Sequence, residues 1–585
     1  MQSILPTAGV KFTKKRYSNT AADLVLWCAL CCTGHYSFAY DGQPAEDFDK
    51  GHIAVVCAKP FHRSLASWIQ YRSRQGYSVH VIVEPFSKAT VTPQEIKKRI
   101  AEVHHKTPLS ALLLVGRATA QTVPSPLLPC RIIQQFGEET ELASDDWYAD
   151  MNGDGLPDFA VGRFPVALAS GEDTSHDALD TLIQKTIRYE SLPPDVWCRQ
   201  MQLVAGAGHF SPLLDSVIES SALYIFSETF PQCYDISLLH ADWHSPFCPF
   251  PTGFPAELNR TLNAGTLFWV YLGHGTHREI EPLYLPQGCV PLPLLQDLLP
   301  QKQSAAESSH SAVAFLFCCY GGSLDRSTAS LAEELVLSGG PVAAVAPSRT
   351  AMPYGMSVLA VEMLQTLKQY QNEDKPLTLG KLMLESKYRM LRPVGNKTAD
   401  NNAESSTVKS GSLGGKRNRS LRETLESFAK MFDPNPQQLP LQLAEHSAMF
   451  HLFGDPLLQL PIPKRLELRC PAKTRAGQTL HVTGQTDIDC QNVVLELLPP
   501  LNQIILRSPQ RQDFRNDKET QKRFNEEYVE SNRRVIQRYR VSCEKGQFAC
   551  DLPLPKGTAG NYVLRGFAKS AESFSVGNTE LKIEK

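Results

Sequence analysis

Short apolar runs alternate with amphipathic segments along most of the chain. The first apolar runs are 52–58, 77–83 and 110–115, and segments with apolar residues at helical spacing separate them. A buried parallel strand is apolar throughout, whereas a helix that covers it is apolar on one face only. The alternation predicts an α/β architecture with parallel strands, first over residues 50–165 and then in a second series over 166–463.

The pattern of apolar and polar residues changes near Lys464. Runs such as 492–497 and 561–565 alternate apolar with polar residues and are bounded by turn residues. Such alternation is typical of antiparallel strands with one buried face, so residues 464–585 are predicted to form a small β-sandwich. Within it, the strongly charged stretch 511–540 is predicted to be an exposed helix or loop.

Two segments lack the composition of a packed fold. Residues 396–420 contain almost no apolar side chains and are predicted to form an exposed, flexible insert. Residues 1–39 combine basic residues, the apolar run 21–32 and a small-x-small site, the order found in a secretory signal peptide. An uncleaved anchor is the alternative, although this run is short for a membrane span. We therefore expect a secreted, periplasmic or cell-surface protein with no membrane span beyond the leader.

The net charge bears on the possible binding partners, and the cysteine content bears on the cellular compartment. The chain of 585 residues has a formal net charge of −2, which gives no indication of a nucleic-acid partner. Four of the 15 cysteines, Cys470, Cys490, Cys543 and Cys550, lie in the β-rich region and would form two disulfides in an exported protein. The alternative is that several of them are small buried apolar residues. The sequence predicts no oligomeric state.

Two of the predicted strands end at reactive side chains. One leads into His274 and Gly275, and another leads into Cys318 and Cys319. Because ligands bind beyond the carboxyl ends of strands in open α/β sheets, we expect the imidazole and a thiol at one edge of the sheet. Nucleophilic cysteine catalysis requires this pairing. No catalytic cofactor is predicted, because the sequence contains no dinucleotide, P-loop, serine-hydrolase or zinc-spaced motif.

Each of these residues has a role in such chemistry. A cysteine thiolate attacks a peptide carbonyl, His274 protonates the leaving amine, and N–H groups at Gly275 and the cysteine hold the oxyanion. Either residue alone at a strand end is more often structural than catalytic, and the hypothesis depends on the two together. His277, three residues from His274, is an alternative imidazole.

A short acidic loop predicts a metal site. Asp150, Asn152 and Asp154 stand at alternate positions, Gly155 follows, and Asp158 comes three residues later. Oxygen ligands at positions 1, 3 and 5 followed by a glycine are typical of calcium loops, although the glutamate that completes an EF-hand is absent. We predict a structural calcium ion here. The alternative is a plain turn between two elements.

The apolar-His-Gly pattern and the later strand that ends in cysteine resemble the caspase-like cysteine peptidases. Further stretches resemble the gingipain family within that group, namely 144–163, which is the most specific, 51–59, 112–116 and 453–458. The resemblance implies caspase-like, doubly wound, mostly parallel sheets in two subdomains, followed by an immunoglobulin-like β-sandwich. It matches His274 to the catalytic histidine and Cys319, ahead of Cys318, to the nucleophile.

The sequence departs from the gingipain pattern near the site. The loop 205–210 contains no acid where gingipains carry the glutamate that orients the histidine, and Gly208 stands near that position. The aspartate that binds a basic P1 side chain in arginine-specific members matches Asp215 only across a gap. Arg349 stands near a family tryptophan, and we hypothesise that it binds an acidic P1 residue by bidentate pairing.

The sequence therefore predicts an exported cysteine endopeptidase that acts on proteins or peptides. The alternative is a catalytically inactive relative that serves as a surface adhesin or an assembly factor. The missing glutamate favours this alternative, whereas the intact His274 and Cys319 disfavour it.

Overall fold

A computed structural model gives the fold of most of the chain. It describes residues 51–84, 92–119, 128–134, 141–167, 172–208, 231–294, 311–392, 421–432, 436–501, 503 and 510–585. The predicted signal peptide 1–39, the predicted insert 396–420 and Asp215 lie outside the described residues.

The strands before residue 464 belong to the α/β part of the molecule. In chain order they are β1 (His52–Ala58), β2 (Ser78–Glu84), β3 (Leu109–Val115), β4 (Ala118–Thr119), β5 (Leu128–Pro129), β6 (Arg131–Gln134), β7 (Glu141–Ser144), β8 (Ala160–Phe164), β9 (Gln200–Ala205), β10 (Asp235–His240), β11 (Phe268–Leu272), β12 (Leu283–Leu285), β13 (Gly288–Val290), β14 (Val313–Phe317), β15 (Ala343–Pro347) and β16 (Phe450–Phe453).

Helices connect these strands, and one lies in the C-terminal region. The α-helices are α1 (Ala66–Arg74), α2 (Pro93–Lys106), α3 (Glu172–Ser191), α4 (Phe254–Asn263), α5 (Leu331–Leu337), α6 (Pro353–Glu373), α7 (Leu379–Leu391), α8 (Leu421–Phe432), α9 (Leu439–Met449) and α10 (Lys518–Asn532). Short 3₁₀ turns occur at Lys59–Phe61, Asp146–Tyr148, Val196–Arg199, Pro251–Gly253 and Pro436–Gln438.

Ten strands form one sheet, in the order β10-β9-β11-β14-β15-β16-β8-β3-β1-β2. The two predicted series are its halves, and β16 joins them. This strand pairs antiparallel with β15 and parallel with β8, whereas the other pairs in the sheet are parallel. The predicted parallel α/β architecture is therefore present as a single sheet rather than as two separate ones.

Helices cover this sheet on both faces. In the first half, Val55 packs in one core with Trp68 of α1, while its neighbour Ala54 packs in another core with Ile96 of α2. Successive side chains of a strand point to opposite faces, so both faces of β1 are buried. The continuous apolar runs of the sequence follow from this burial.

The start of α2 shows how local sequence sets an element boundary. The Thr92 side chain accepts a hydrogen bond from the Glu95 N–H, and the Glu95 carboxylate accepts one from the Thr92 N–H at 2.9 Å. Pro93 occupies the first helical turn, where its missing N–H leaves no bond unmade. Four adjacent residues thus set the start of this helix.

Two of the stretches that resemble gingipains contribute buried ion pairs to the framework. Asp145 binds the guanidinium of Arg163 through two hydrogen bonds of 2.7 and 2.6 Å. Asp455, in the stretch 453–458, binds Arg72 of α1 at 2.7 Å. The pairs fasten the end of β8 and the turn after β16 to neighbouring elements, so these stretches support the sheet rather than the chemistry.

The C-terminal region is a separate β-rich unit with its own apolar core. Its strands are β17 (Lys464–Arg469), β18 (Lys473–Arg475), β19 (Thr479–Thr486), β20 (Asn492–Leu498), β21 (Gln537–Ser542), β22 (Gln547–Pro553), β23 (Gly560–Lys569) and β24 (Phe574–Glu584).

One strand connects the two halves of this β unit. The first residues of β17 pair parallel with β24, and its later residues pair antiparallel with β19. The strands thus follow one hydrogen-bonded path, β21-β20-β23-β24-β17-β19-β22, with β18 beside β24. A β-rich unit is present as predicted, and its immunoglobulin-like character stays a prediction.

Most residues of the charged stretch 511–540 are exposed, and part of it is the helix α10, as predicted. One side of α10 packs against the α/β part, where Asn525 accepts a hydrogen bond from the Phe250 N–H at 2.9 Å. Arg511 is 7% exposed and donates to the carbonyl of Cys248 at 2.8 Å. A guanidinium can be buried in this way when carbonyl oxygens satisfy its N–H groups.

The structure also bears on the predicted disulfides and on the expected absence of a membrane span beyond the leader. None of the twelve described cysteines is recorded in a disulfide, and the side chains of Cys490 and Cys543 contact each other. Cys470 contacts Thr579 instead, so only the first pair is placed for a disulfide. Within the described ranges, no helix combines the length and apolar character that a bilayer crossing requires.

Candidate active site

The candidate histidine and cysteine follow adjacent strands of the large sheet. β11 pairs in parallel with β14, and the last pair joins Leu272 to Phe317. His274 and Cys319 each stand two residues beyond that pair, and both side chains are half-buried. Strand register therefore brings the imidazole and the thiol to one edge of the sheet, where strand-end ligand sites are found.

The two adjacent cysteines have different surroundings. Cys318 is 0% exposed and lies in the apolar core that includes α5. Burial raises the pKa of its thiol, and a buried thiol in apolar surroundings is unreactive. Cys319 is half-buried at the end of the strand. Of the two, Cys319 has the exposure that a nucleophile needs.

A backbone amide faces the Cys319 thiol. The Ala351 N–H donates to the Cys319 Sγ at 3.4 Å, and the thiol contacts the Ala351 carbonyl oxygen at 3.9 Å. The next residue holds this segment in place, because the Met352 N–H donates to Nε2 of His446 at 2.8 Å. Burial lowers the pKa of His446 to about 4, so Nε2 remains an acceptor at neutral pH.

The turn that follows Cys319 has an uncommon backbone conformation. Tyr320 has a φ of 60°, in the left-handed region that residues other than glycine rarely adopt. Its N–H donates to the Arg349 carbonyl at 3.0 Å, and the Gly322 N–H donates to the Pro347 carbonyl at 2.9 Å. These bonds hold a turn of the kind that concentrates at functional sites.

Gly275 lies against the cysteine pair. It pairs with Ile280 in an antiparallel bridge, and the hydrogen bonds of that hairpin lie on either side of the pair. In such a pair the N–H groups point away from the partner strand. A Cβ on Gly275 would lie 2.8 Å from the Cβ and the Sγ of Cys318 and 3.5 Å from the Cys319 carbonyl oxygen. The close approach of Cys318 therefore excludes a side chain at Gly275.

A carboxylate that the sequence patterns did not single out lies beside His274. The backbone N–H of His274 donates to Oε1 of Glu281 at 3.1 Å, and the backbone N–H of Glu281 donates to the His274 carbonyl at 3.1 Å. The Tyr271 hydroxyl donates to the same carbonyl at 2.7 Å. Glu281 follows His274 by seven residues, a spacing that matches no motif, so only its contacts identify it.

Arg349 does not have the role that we hypothesised from the sequence. It is 6% exposed, and its guanidinium binds both carboxylate oxygens of Asp325, at 2.9 and 2.8 Å. Two further N–H groups bind the carbonyls of Glu141 and Ser348, each at 2.9 Å. The bidentate partner is therefore an internal aspartate, which occupies the donors that would pair with an acidic P1 side chain.

His277 has structural contacts. Its Nε2 contacts the Thr328 hydroxyl at 2.9 Å, and its carbonyl accepts the Leu331 N–H at 2.8 Å. These bonds fasten the start of α5 to the His274 hairpin. The alternative in which His277 is the catalytic imidazole receives no support from this position.

The acidic loop is held together by hydrogen bonds of its own. The Asp150 carboxylate accepts from two backbone N–H groups of the loop, at 2.6 and 3.1 Å, and the Asn152 amide donates to Asp154 at 3.1 Å and to Asp158 at 3.2 Å. Over the described ranges, no group of three or more His, Cys, Asp or Glu side chains is arranged to hold a metal ion. The donor set suits calcium chemically, but its oxygens face N–H groups, and the ion stays a prediction.

Comparison with known protein families shows which family this chain resembles. A family model for Peptidase family C25 matches residues 47–461. The chain belongs to peptidase family C25. The matched region contains His274, Glu281 and Cys319, and the predicted resemblance to the gingipains is confirmed. The family and the fold are those of cysteine peptidases.

Individual relatives of this C25 member are distant. Gingipain R2 of Porphyromonas gingivalis is 23% identical over 246 residues, which cover 40% of this chain and 29% of that relative. The match thus spans less than a third of the relative's length.

Two solved structures are similar in fold. The crystal structure of the Arg-specific cysteine proteinase gingipain R is 15% identical, with a TM-score of 0.47, over 93% of this chain and 100% of that one. A complex of the pro- and mature domains of RgpB from Porphyromonas gingivalis is 15% identical, with a TM-score of 0.44, over 91% and 100%. Neither similarity extends to the substrate of this chain.

Proposed function

We propose that this C25 family member is a cysteine endopeptidase whose nucleophile is Cys319. The observation that carries the proposal is the Cys319 thiol itself. It is half-buried at the sheet edge, accepts the Ala351 N–H, and follows the strand adjacent to that of His274. Cys318, in contrast, is enclosed in the core.

The proposed reaction proceeds through a covalent intermediate. The Cys319 thiolate attacks a peptide carbonyl, and the new C–S bond turns the carbonyl oxygen into an oxyanion that N–H groups at Gly275 and Cys319 stabilise. The His274 imidazolium gives its proton to the leaving amine as the C–N bond breaks. Water then attacks the thioester while His274 takes up its proton, which releases the acid and restores the thiolate.

Export is also part of the proposal. The leader in residues 1–39 supports a secreted, periplasmic or surface location, where protein or peptide substrates are expected. P1 specificity is left open, because Arg349 is paired with Asp325 and Asp215 lies outside the described residues.

The inactive-relative alternative loses its main support. It relied on the absence of an acid near the histidine, and Glu281 provides a buried carboxylate at His274. We therefore favour the peptidase.

A cleavage experiment with matched cysteine variants tests the proposal. The full chain, Cys319→Ala, Cys318→Ala and Cys289→Ala are incubated with a diverse peptide library and a reductant. We expect Cys319→Ala to lose roughly 10³-fold or more of kcat/KM, because the nucleophile is removed. Cys289 is exposed and Cys318 belongs to the core, so these two variants should keep the cleavage pattern.

Each result decides a specific point. Equal cleavage by wild type and Cys319→Ala would transfer the nucleophile to another residue. Folded wild-type protein that cleaves nothing in the library would favour the inactive relative.

A further inference from the structure

Glu281 is a buried carboxylate that reaches three segments of the site. It is 7% exposed. Its Oε1 accepts the His274 N–H at 3.1 Å, and the carboxylate also accepts N–H groups of Ala207 and Gly208, in the loop after β9. One side chain thus connects the ends of β9 and β11 at the base of the imidazole.

Two glycines make room for this carboxylate. A Cβ on Gly206 would lie 1.7 Å from the Glu281 Oε1, and a Cβ on Gly273 would lie 2.6 Å from it. Neither residue has a positive φ, so the close approach of the carboxylate, rather than backbone conformation, excludes a side chain at both positions. The strand ends are shaped around Glu281.

Titratable side chains and backbone amides surround Glu281. Among the described residues, Tyr271 of β11, Cys318 after β14 and the His274 imidazole interact electrostatically with it, and the loop after β9 contributes backbone amides. Burial raises the pKa of the Glu281 carboxyl, while the N–H groups and the His274 charge oppose that rise. Attraction between two charges is mutual, so an ionised Glu281 attracts a positive charge at His274.

We propose that Glu281 is the positioning residue for His274, which it orients through the backbone and to which it presents a negative charge. This inference rests on the proposed function, since it assigns Glu281 a part in the same site. Glu281 does not touch the peptide bond in this scheme. It acts through His274, whose protonated form supports the thiolate and supplies the proton for the leaving amine.

Alkylation of Cys319 by a pair of reagents tests the proposal without requiring turnover. Iodoacetate and iodoacetamide deliver the same carbon to the thiolate, but only iodoacetate is an anion that a neighbouring imidazolium attracts. The ratio of the two rates therefore follows the protonation of His274. Peptide mapping of the full chain, with Cys319→Ala as background, assigns the alkylation to Cys319, and His274→Ala should abolish the preference for iodoacetate.

The decisive comparison is Glu281→Gln against Glu279→Gln. Both changes remove one carboxylate from the same hairpin, but the Glu279 side chain is exposed. The ratio of the iodoacetate rate to the iodoacetamide rate falls as pH rises and the imidazolium loses its proton. We expect Glu281→Gln to move this fall to lower pH by roughly one unit, because an attractive charge near the imidazolium is gone. Glu279→Gln should leave the fall in place, and Glu281→Asp, which keeps the charge, should restore most of it.

The outcomes separate this inference from the proposed function. An unchanged fall in folded Glu281→Gln, from an enzyme that cleaves peptides, would overturn the role of Glu281 and leave the peptidase standing. A shifted fall in protein that cleaves no peptide would support Glu281 and remove the peptidase. Should Glu281→Gln fail to fold, Gly206→Ala displaces the carboxylate, and an unshifted fall in that variant would also overturn the role of Glu281.

Discussion

Glu281 and Glu496 are both buried carboxylates, yet their two regions balance the charge in opposite ways. Glu281 meets backbone N–H groups and the His274 imidazole, and burial leaves its pKa raised. Glu496 of β20 is 0% exposed and is surrounded by guanidinium groups, those of Arg199 at 3.4 Å and of Arg538 and Arg565 at 2.6 Å. Burial would raise its pKa too, but the arginines more than offset burial and the pKa is lowered.

The difference separates a structural carboxylate from a functional one. Arginine remains charged at every accessible pH, so Glu496 stays ionised and joins β20 to the segment before β9. Imidazole changes charge near neutral pH, so the surroundings of Glu281 change with the protonation of His274. A carboxylate whose partner titrates can serve proton transfer, whereas one enclosed by arginines holds two parts of the molecule together.

The largest expected effect is the loss of stability in Glu496→Ala. Removal of this carboxylate leaves the buried guanidinium groups of Arg199 and Arg565 with Asp235 as a remaining partner, and breaking a buried ion pair costs about 3–5 kcal/mol. Urea unfolding of the full chain measures the difference. Glu572→Ala removes an exposed carboxylate of the same β unit and should change little. Equal losses in the two variants would contradict the structural role of Glu496.

Next in size is the loss of activity in Gly206→Ala, which displaces Glu281 without changing its charge. The new Cβ would lie 1.7 Å from Oε1, and misplacement of catalytic geometry by about 1 Å can cost roughly 100-fold in rate. We expect kcat/KM to fall by that order on a cleaved peptide. Gly253→Ala adds the same methyl where no atom lies within 4 Å, and it should cleave normally.

A smaller effect is the pH dependence of stability, which should have opposite signs in the two regions. Both carboxyls start from an ordinary value of 4.5. Because the folded pKa of Glu281 is raised, wild type should lose stability relative to Glu281→Gln as pH rises from that value through the folded pKa. The folded pKa of Glu496 is lowered, so its contribution is present above 4.5 and is lost as pH falls through the folded pKa.

Unfolding free energies of wild type and both Gln variants, measured from about pH 3 to pH 8, give the two slopes. Slopes of the same sign would mean that the two carboxylates are not balanced differently.

The smallest expected effect concerns a third acidic region, the loop that contains Asp150, Asn152, Asp154 and Asp158. Backbone N–H groups and the Asn152 amide balance part of its charge, and burial raises the pKa of Asp158. If calcium binds there, stability should rise by about 0.4 kcal/mol when its concentration equals the dissociation constant. Thermal unfolding in calcium and in a chelator measures this, and Asp154→Asn should reduce the rise. Identical curves in both buffers would favour the plain turn.

Local sequence was sufficient for most elements and for the placement of the two candidate groups. The apolar runs that predicted β1, β11 and β14 coincide with buried strands because burial on both faces leaves a continuous apolar signature. His274 and Cys319 could be placed at one edge because parallel strands end on the same side.

Contacts between distant parts of the chain were not predictable in this way. The insertion of β16 between β15 and β8 joins residues far apart in sequence. Arg349 is the same residue in the sequence whether it binds a substrate or Asp325. The charged sequence of α10 likewise gives no sign of its contact with the α/β part.

The sequence by itself determined that this chain offers a histidine and a thiol at the edge of an α/β sheet, because strand periodicity is a local property. Only the tertiary structure decided that Cys319 rather than Cys318 is accessible, and that the carboxylate at His274 comes from Glu281. The physical reason is that exposure, hydrogen-bond partners and charge balance depend on which segments meet in space, and pairs such as Gly206 with Glu281 leave no periodic pattern in the chain.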